Sequence, residues 1–333
     1  MSFTCINTEC PNSQAQMPKE AATSLNFKCF LCQSELAEPK VTLDQMLEKV
    51  DILPVSLQIL PQLQRLLQDD DASLDSIAST ARVDASLVTK LITMANSAHY
   101  SMGQRGACNS VEQALTRVGL NKAYSVVSFI VSKQVFMSDQ PLYNKTGEEM
   151  WKHSARSAYC MERLAPEIKV SSDSYENPEA SLAFTLGLVN SVGQTVISQY
   201  YKSNGCAPLD DVPRPLNTST EQEILGFTNI DVTMTLLAKW HFSQEIISAL
   251  NYMEKPLNCN TDKPLTCLLS MVTTAVEAIQ SKLHDGEFIT MPEFNELCPL
   301  DESLFTITGI SKSLLMETTL KSIDQFRVGS RQL

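Results

Sequence analysis

Residues Leu53 to Tyr100 read LPVSLQILPQLQRLLQDDDASLDSIASTARVDASLVTKLITMANSAHY, and the spacing within this stretch decides the fold. Leu57, Leu60, Leu63, Leu66 and Leu67 recur at intervals of three and four, which places them on one face of a helix. Asp69 to Asp71 ends that helix in a polar turn. Ser73 then opens a short helix carrying Leu74, Ile77 and Ala78. Asp84 or Ser86 can cap the next helix, whose inner face holds Leu87, Val88, Leu91, Ile92 and Ala95.

The helical pattern continues outward in both directions. A short helix is expected over 43–50, and one over 111–118 stops at Gly119, a position suited to a left-handed cap. Polar, proline-containing connections at 139–148, 166–180, 203–219 and 254–264 separate helices expected at 151–164, 180–201, 220–228, 232–240, 244–252 and 265–283. Residues 292–326 read as two further helices divided near Gly309. The chain has 333 residues, 43% of them hydrophobic and only 11 of them glycine. An all-α bundle follows from this pattern.

Residues 1–38 differ. They lack helical periodicity and carry Cys5 and Cys10 as C-x4-C, then Cys29 and Cys32 as C-x2-C. Two such pairs can close a tetrahedral thiolate sphere around a structural zinc ion. A segment this short cannot bury enough apolar surface to fold alone, so a metal would supply what packing cannot. Asn12 and Asn26 stand where they can brace turns beside the cysteine pairs. The remaining six cysteines are scattered and read as buried thiols of a reducing compartment. The expected organisation is a four-cysteine zinc module at 1–38, a helical domain at 43–254 and a helical extension at 255–333.

Charge limits the partners. The formal net charge is −12, with no block of Lys or Arg, which disfavours nucleic acid and anionic membrane surfaces. The helix pair at 74–95 has the outline of a DNA-reading unit, yet its second helix carries one cation, Lys90. No export signal is visible, and the most apolar window, 123–136, is too short to span a bilayer of ~20 residues. A cytoplasmic location is expected.

Five segments, in order, resemble the HDOD domain family. They are the opening stretch, with Leu53-Pro54, Asp84, Leu87, Leu91 and Asn96-Ser97; SVEQALTRVGL at 110–120; WKHSARSAYCMERLA at 151–165; AFTLGLVNSVGQTVIS at 183–198; and EILGFTNIDVTMTLLAKW at 223–240. The four-cysteine segment in turn resembles a zinc ribbon. The HDOD resemblance covers roughly 51–254 and implies a bacterial signalling domain similar to HD phosphohydrolases without their full metal constellation. His153 matches the first HD histidine, whereas the His-Asp pair falls on Asn190-Ser191 and a later histidine position falls near Asn251. Only four histidines exist in the chain, His99, His153, His241 and His284. The resemblance therefore implies a vestigial pocket at His153, Asn190, Ser191 and Asn251 and no catalysis. It implies action through a regulatory protein partner or a small-molecule ligand. The alternatives are a metal-dependent hydrolase of nucleotides or cyclic dinucleotides and a DNA-binding regulator.

Overall fold

The computed structural model describes residues 2–5, 7, 9–13, 15, 17–37, 41–49, 59–69, 73–81, 85–97, 106–170, 175–203, 214–282 and 289–329. Leu53, Pro54, Leu57, Asp70, Asp71, Asp84, the side chain of Ser86, His99, Cys206 and His284 lie outside the described residues. The helices are α1 (Lys19–Ser24), α2 (Leu43–Lys49), α3 (Ile59–Gln68), α4 (Leu74–Ala81), α5 (Ala85–Ala95), α6 (Val111–Val118), α7 (Leu120–Phe136), α8 (Gly147–Leu164), α9 (Ala180–Val189), α10 (Val192–Ser203), α11 (Thr218–Ile224), α12 (Asn229–Lys239), α13 (Gln244–Asn251), α14 (Lys263–Lys282), α15 (Met291–Leu297), α16 (Glu302–Thr308) and α17 (Lys312–Gly329). The fold is all-α, apart from a small antiparallel sheet near the N-terminus. Its strands β1 (Ser2–Cys5), β2 (Met17–Pro18) and β3 (Leu36–Ala37) lie in the order β2-β1-β3.

Local signals explain the ends of the elements. Ser73 Oγ accepts from the Ser76 N–H, and Ser110 Oγ from the Gln113 N–H, so both serines satisfy an orphan donor of a first helical turn. Thr146 and Glu149 form a reciprocal capping box at the start of α8. Asn96 of the Asn-Ser pair braces the loop that follows α5, accepting from Cys108 N–H at 2.7 Å and donating to its carbonyl at 2.8 Å. Gly119 has φ +87° and ψ 147°, a positive-φ link rather than a left-handed cap, because α7 begins at the very next residue.

Three expectations are corrected. The single helix expected at 180–201 is two helices, parted at Asn190-Ser191, where the Asn190 side chain donates to the Gly187 carbonyl and competes with the helical ladder. The C-terminal stretch holds three helices rather than two, because α15 ends at Leu297, capped by Cys298 just before Pro299, and only the second break lies at Gly309. The spacer between the cysteine pairs contains α1, with Ala22 fully buried against the cysteines. Among the described residues one helical segment, Ala180–Lys202, is long and apolar enough to cross a membrane, and 83% of its apolar window is buried inside the fold.

Two separate apolar clusters are present. A small one joins Cys5, Cys10, Ala22, Cys29 and Leu36. A large one runs from Met46 to Phe326. At its centre α8 meets α7, α9, α14 and α17. Trp151 on α8 is buried, with Phe326 of α17 edge-on at 5.9 Å and Lys133 of α7 over its ring at 5.0 Å.

The α8–α9 crossing is set by Gly187. A Cβ there would lie 2.6 Å from the Ser157 carbonyl oxygen and 2.8 Å from the Ala158 Cα, so backbone meets backbone. Neither helix can move without displacing the core behind it. Gly187→Ala is therefore expected to destabilise the protein by about 2–3 kcal/mol. Urea unfolding checks this, with a lower midpoint and an unchanged slope expected.

Candidate functional site

The cysteine cluster is assembled from a strand and two turns. Cys5 ends β1, and Cys10 follows a turn closed by its own N–H on the Asn7 carbonyl at 3.0 Å. Cys29 and Cys32 lie on a tight knuckle, in which the Gln33 N–H donates to the Cys29 carbonyl at 2.9 Å and Gln33 adopts φ +58°. The four sulfurs lie within 4.8 Å of one another. Cys5 and Cys32 are 3.3 Å apart, and Cys10 and Cys29 are 3.7 Å apart. A tetrahedron with metal–sulfur bonds of ~2.3 Å has edges of about 3.8 Å, so this donor set fits one metal ion. Asn12 donates its amide to Cys29 Sγ at 3.6 Å and so braces the module, whereas Asn26 contributes only its backbone, at φ +50° in the turn after α1. Hydrogen bonds from the Ser34 hydroxyl and N–H lower the Cys32 thiol to about 6, whereas desolvation raises Cys5 to about 12, so metal binding would have to displace protons from part of the cluster. Phe30 and Leu31, between the two knuckle cysteines, are more than half exposed. All four positions come from the protein, which leaves no open coordination site for chemistry.

The second site is an open cleft of about 830 Å³ at the surface of the helical core. The break between α9 and α10 forms part of its wall. Here Asn190 and Ser191 meet α8, with Ser191 Oγ 3.0 Å from Ser154 Oγ, and His153 lines the same space at 6% exposure. Three of the four residues expected at a vestigial pocket are thus together. Asn251 is not among them. Ile246, Ala249 and Leu250 form the buried side of α13, which leaves Asn251 exposed, and Met253 to Lys255 line the cavity instead.

The opposite wall comes from α14. Ser270, Thr273, Thr274 and Glu277 recur at helical spacing on a helix whose other faces are apolar and buried. Glu277 Oε2 lies 2.8 Å from Lys145 Nζ and 3.2 Å from His153 Nδ1. Burial alone would push this carboxyl up. The His153 imidazole and then the Lys145 ammonium outweigh it and hold the group down at about 2. Next to this pair, Arg156 donates to Gln280 Oε1 at 3.0 Å, and Gln280 donates to the Glu149 carbonyl at 2.9 Å, tying α14 to α8.

A third side is built by α11 and α12. Glu221 is fully buried and accepts from Tyr143 Oη at 2.6 Å, from the Asn229 N–H at 2.7 Å and from Asn229 Nδ2 at 2.9 and 3.1 Å. Burial and then the Glu221 charge raise the Tyr143 hydroxyl well above its ordinary value, so it remains a donor. Gly193, at the start of α10, rests on the Asn229 carbonyl with no space for a Cβ, and its N–H donates to Thr233 Oγ1 at 2.9 Å.

An HD-type catalytic metal does not fit this cavity. Its acidic and imidazole donors near Asn190-Ser191 are His153 and Glu277, and Glu277 is already held by Lys145. Asn190 spends its amide on Gly187, and Ser191 pairs with Ser154. Among the described residues, the four cysteines are the one group of three or more His, Cys, Asp or Glu side chains close enough for a shared ion. Lys145, Gln194, Asn229 and Glu277 were not expected from sequence. The polar stripe on α14 was visible there as a period of three and four, whereas the approach of Lys145 to Glu277 joins positions 132 apart.

Glu277 gives the cavity an acid-sensitive tie. A carboxylate with a depressed folded pKa stabilises the fold above its unfolded value and loses that contribution as pH falls through the folded one. The window here runs from about 4.5 down to about 2. Glu277→Gln is expected to be less stable than the parent at pH 6 by on the order of 1 kcal/mol, since the carboxylate is half exposed and solvent weakens the pair. The difference should shrink steadily toward pH 2, and urea midpoints across this range check it.

Comparison with known proteins agrees with this fold. A solved HDOD domain protein with unknown function from Geobacter sulfurreducens superposes with a TM-score of 0.59 at 17% identity, over 87% of this chain and 95% of that one. A candidate signal transduction protein from Marinobacter aquaeolei gives 0.59 at 18% identity, over 86% of this chain and 59% of that one. A candidate phosphohydrolase from Shewanella amazonensis gives 0.56 at 18% identity, over 83% and 93%. In sequence, an uncharacterized protein of Treponema pallidum is 26% identical over 248 residues, which span 72% of this chain and 44% of that relative. The HDOD domain profile matches residues 53–256, well over half of the 333 residues, and the chain belongs to the HDOD domain family.

Proposed function

We propose that this chain is a non-catalytic, cytoplasmic regulatory protein of bacterial signal transduction, which binds a partner protein or small ligand through an HDOD domain without the HD metal site. The observation that carries this reading is the state of the cavity. Asn190-Ser191 stand where a His-Asp pair is needed, both are engaged with the surrounding helices, and a lysine ammonium lies on Glu277, the carboxylate beside His153. Divalent-metal hydrolysis needs several anionic or imidazole donors around an open coordination position. The competing reading, hydrolysis of nucleotides or cyclic dinucleotides, draws on the resemblance to HD phosphohydrolases and on the name of the Shewanella protein. A DNA-binding role is disfavoured by the net charge of −12.

Purified protein is expected to show no turnover of mono-, di- or cyclic nucleotides with Mn, Mg, Fe or Ni. Hydrolysis that persists through repurification and disappears in His153→Ala would overturn the reading.

We further assign residues 1–38 to a zinc-ribbon-like module, 43–254 to the HDOD core and 255–333 to an extension on that core. The module holds a structural zinc ion through Cys5, Cys10, Cys29 and Cys32. Its exposed Phe30 and Leu31 suit contact with a partner protein. Elemental analysis should find one zinc per chain. In Cys29→Ser the zinc should be lost and partner capture should weaken, while far-UV circular dichroism of the helical core stays nearly unchanged. Retention of zinc in that variant would contradict the assignment.

A further inference from the structure

We propose that the cavity between α8, α10, α12 and α14 binds a small, uncharged molecule rich in O–H or N–H donors. This rests on the non-hydrolytic reading above and adds the class of ligand. Three side-chain amides carry the argument. Asn190 donates its Nδ2 to the Gly187 carbonyl at 2.6 Å, and Asn229 donates its Nδ2 to both oxygens of the buried Glu221. Neither amide can turn over without placing oxygen against oxygen, so the atom each leaves for the cavity is its Oδ1 acceptor. Gln194 lines the same space, and its Oε1 is buried with no partner. That oxygen has essentially no accessible surface, so what Gln194 offers an occupant of the cavity is the donor end of its amide.

Charge selects against an anion. The cavity is lined by two lysines, Lys145 and Lys255, and two glutamates, Glu254 and Glu277. Lys145 is paired with Glu277, so a phosphate could use it only by displacing a carboxylate held at 2.8 Å. Lys255 is exposed and adjoins Glu254, which already accepts from Thr218 Oγ1 at 2.8 Å. The other lining groups are mainly hydroxyls and amides. About 830 Å³ lies within the range of sites that enclose small molecules. Acceptor oxygens, hydroxyls and balanced charge suit a polyol, a sugar or a nucleoside better than its phosphorylated form.

Full-length protein would be tested by calorimetry and thermal shift with adenosine, cytidine, glucose and myo-inositol, and with adenosine monophosphate and glucose phosphate as charged counterparts. At least one uncharged probe should bind, with its phosphorylated counterpart at least about tenfold weaker. Gln194→Met keeps the side-chain length and removes the orphan polar atom. It should raise the melting temperature of the free protein, because a buried unsatisfied group is gone, and weaken the bound probe about tenfold. Lys321→Ala, on the exposed side of α17 and outside the cavity lining, should leave that affinity within about twofold. Failure of every uncharged probe, equal or tighter binding of a phosphorylated one, or unchanged affinity in Gln194→Met overturns the proposal. Hydrolysis of a phosphorylated probe would instead sink the non-hydrolytic reading, whereas absence of binding without hydrolysis ends this inference alone.

Discussion

The contact on which the rest of the molecule depends is the backbone-to-backbone approach of α8 and α9 at Gly187. With no side chain between them, the two helices sit close enough for Ser154 and Ser191 to share a hydrogen bond at 3.0 Å. That closeness brings His153 to the end of α9 and fixes where the chain must turn. Asn190 makes the turn by donating to the carbonyl three residues back, so α9 stops as one wall of the cavity starts. A side chain at 187 would push apart the groups that define the site, even though it touches none of them.

Around this contact, charge is arranged in closed pairs. Glu277 faces both Lys145 and His153, and Glu221 is surrounded by three donors from Tyr143 and Asn229. A buried carboxylate without such partners would be costly, so each pair fixes the elements that supply its donors. Glu221 thereby positions α12, whose first residue is Asn229, against the loop that carries Tyr143. The carboxylates of the polar interior are fixed in this way by donors that are themselves part of packed helices.

Periodicity made the helices legible, and cysteine spacing made the metal-binding cluster legible. The leucine and alanine stripes of α3 to α5 and the caps at Ser73 and Ser110 could be read from short-range pattern alone. The break at Asn190-Ser191 could not, because hydropathy runs on through it and the interruption is made by one side-chain hydrogen bond. Nor could the displacement of Asn251 by its near neighbours Met253 to Lys255, since that turns on which side of α13 is buried. The motif resemblance led to His153, Asn190 and Ser191. Lys145 and Glu277 escaped notice because they belong to no motif and meet only through the fold.

The location of Glu277 has one more consequence. The family profile ends at residue 256, yet a wall of the cavity is supplied by Ser270 to Ala278. The chamber is therefore a joint product of two stretches of chain, held together by the Lys145–Glu277 and Arg156–Gln280 ties. Any occupant that touches both walls acts as a rivet across the seam, and by mass action its binding free energy adds to the docking of α14 on α8. Reciprocity then requires that whatever loosens α14 also loosens the occupant by the same factor. The cavity and the C-terminal helices are thus the two ends of one thermodynamic lever.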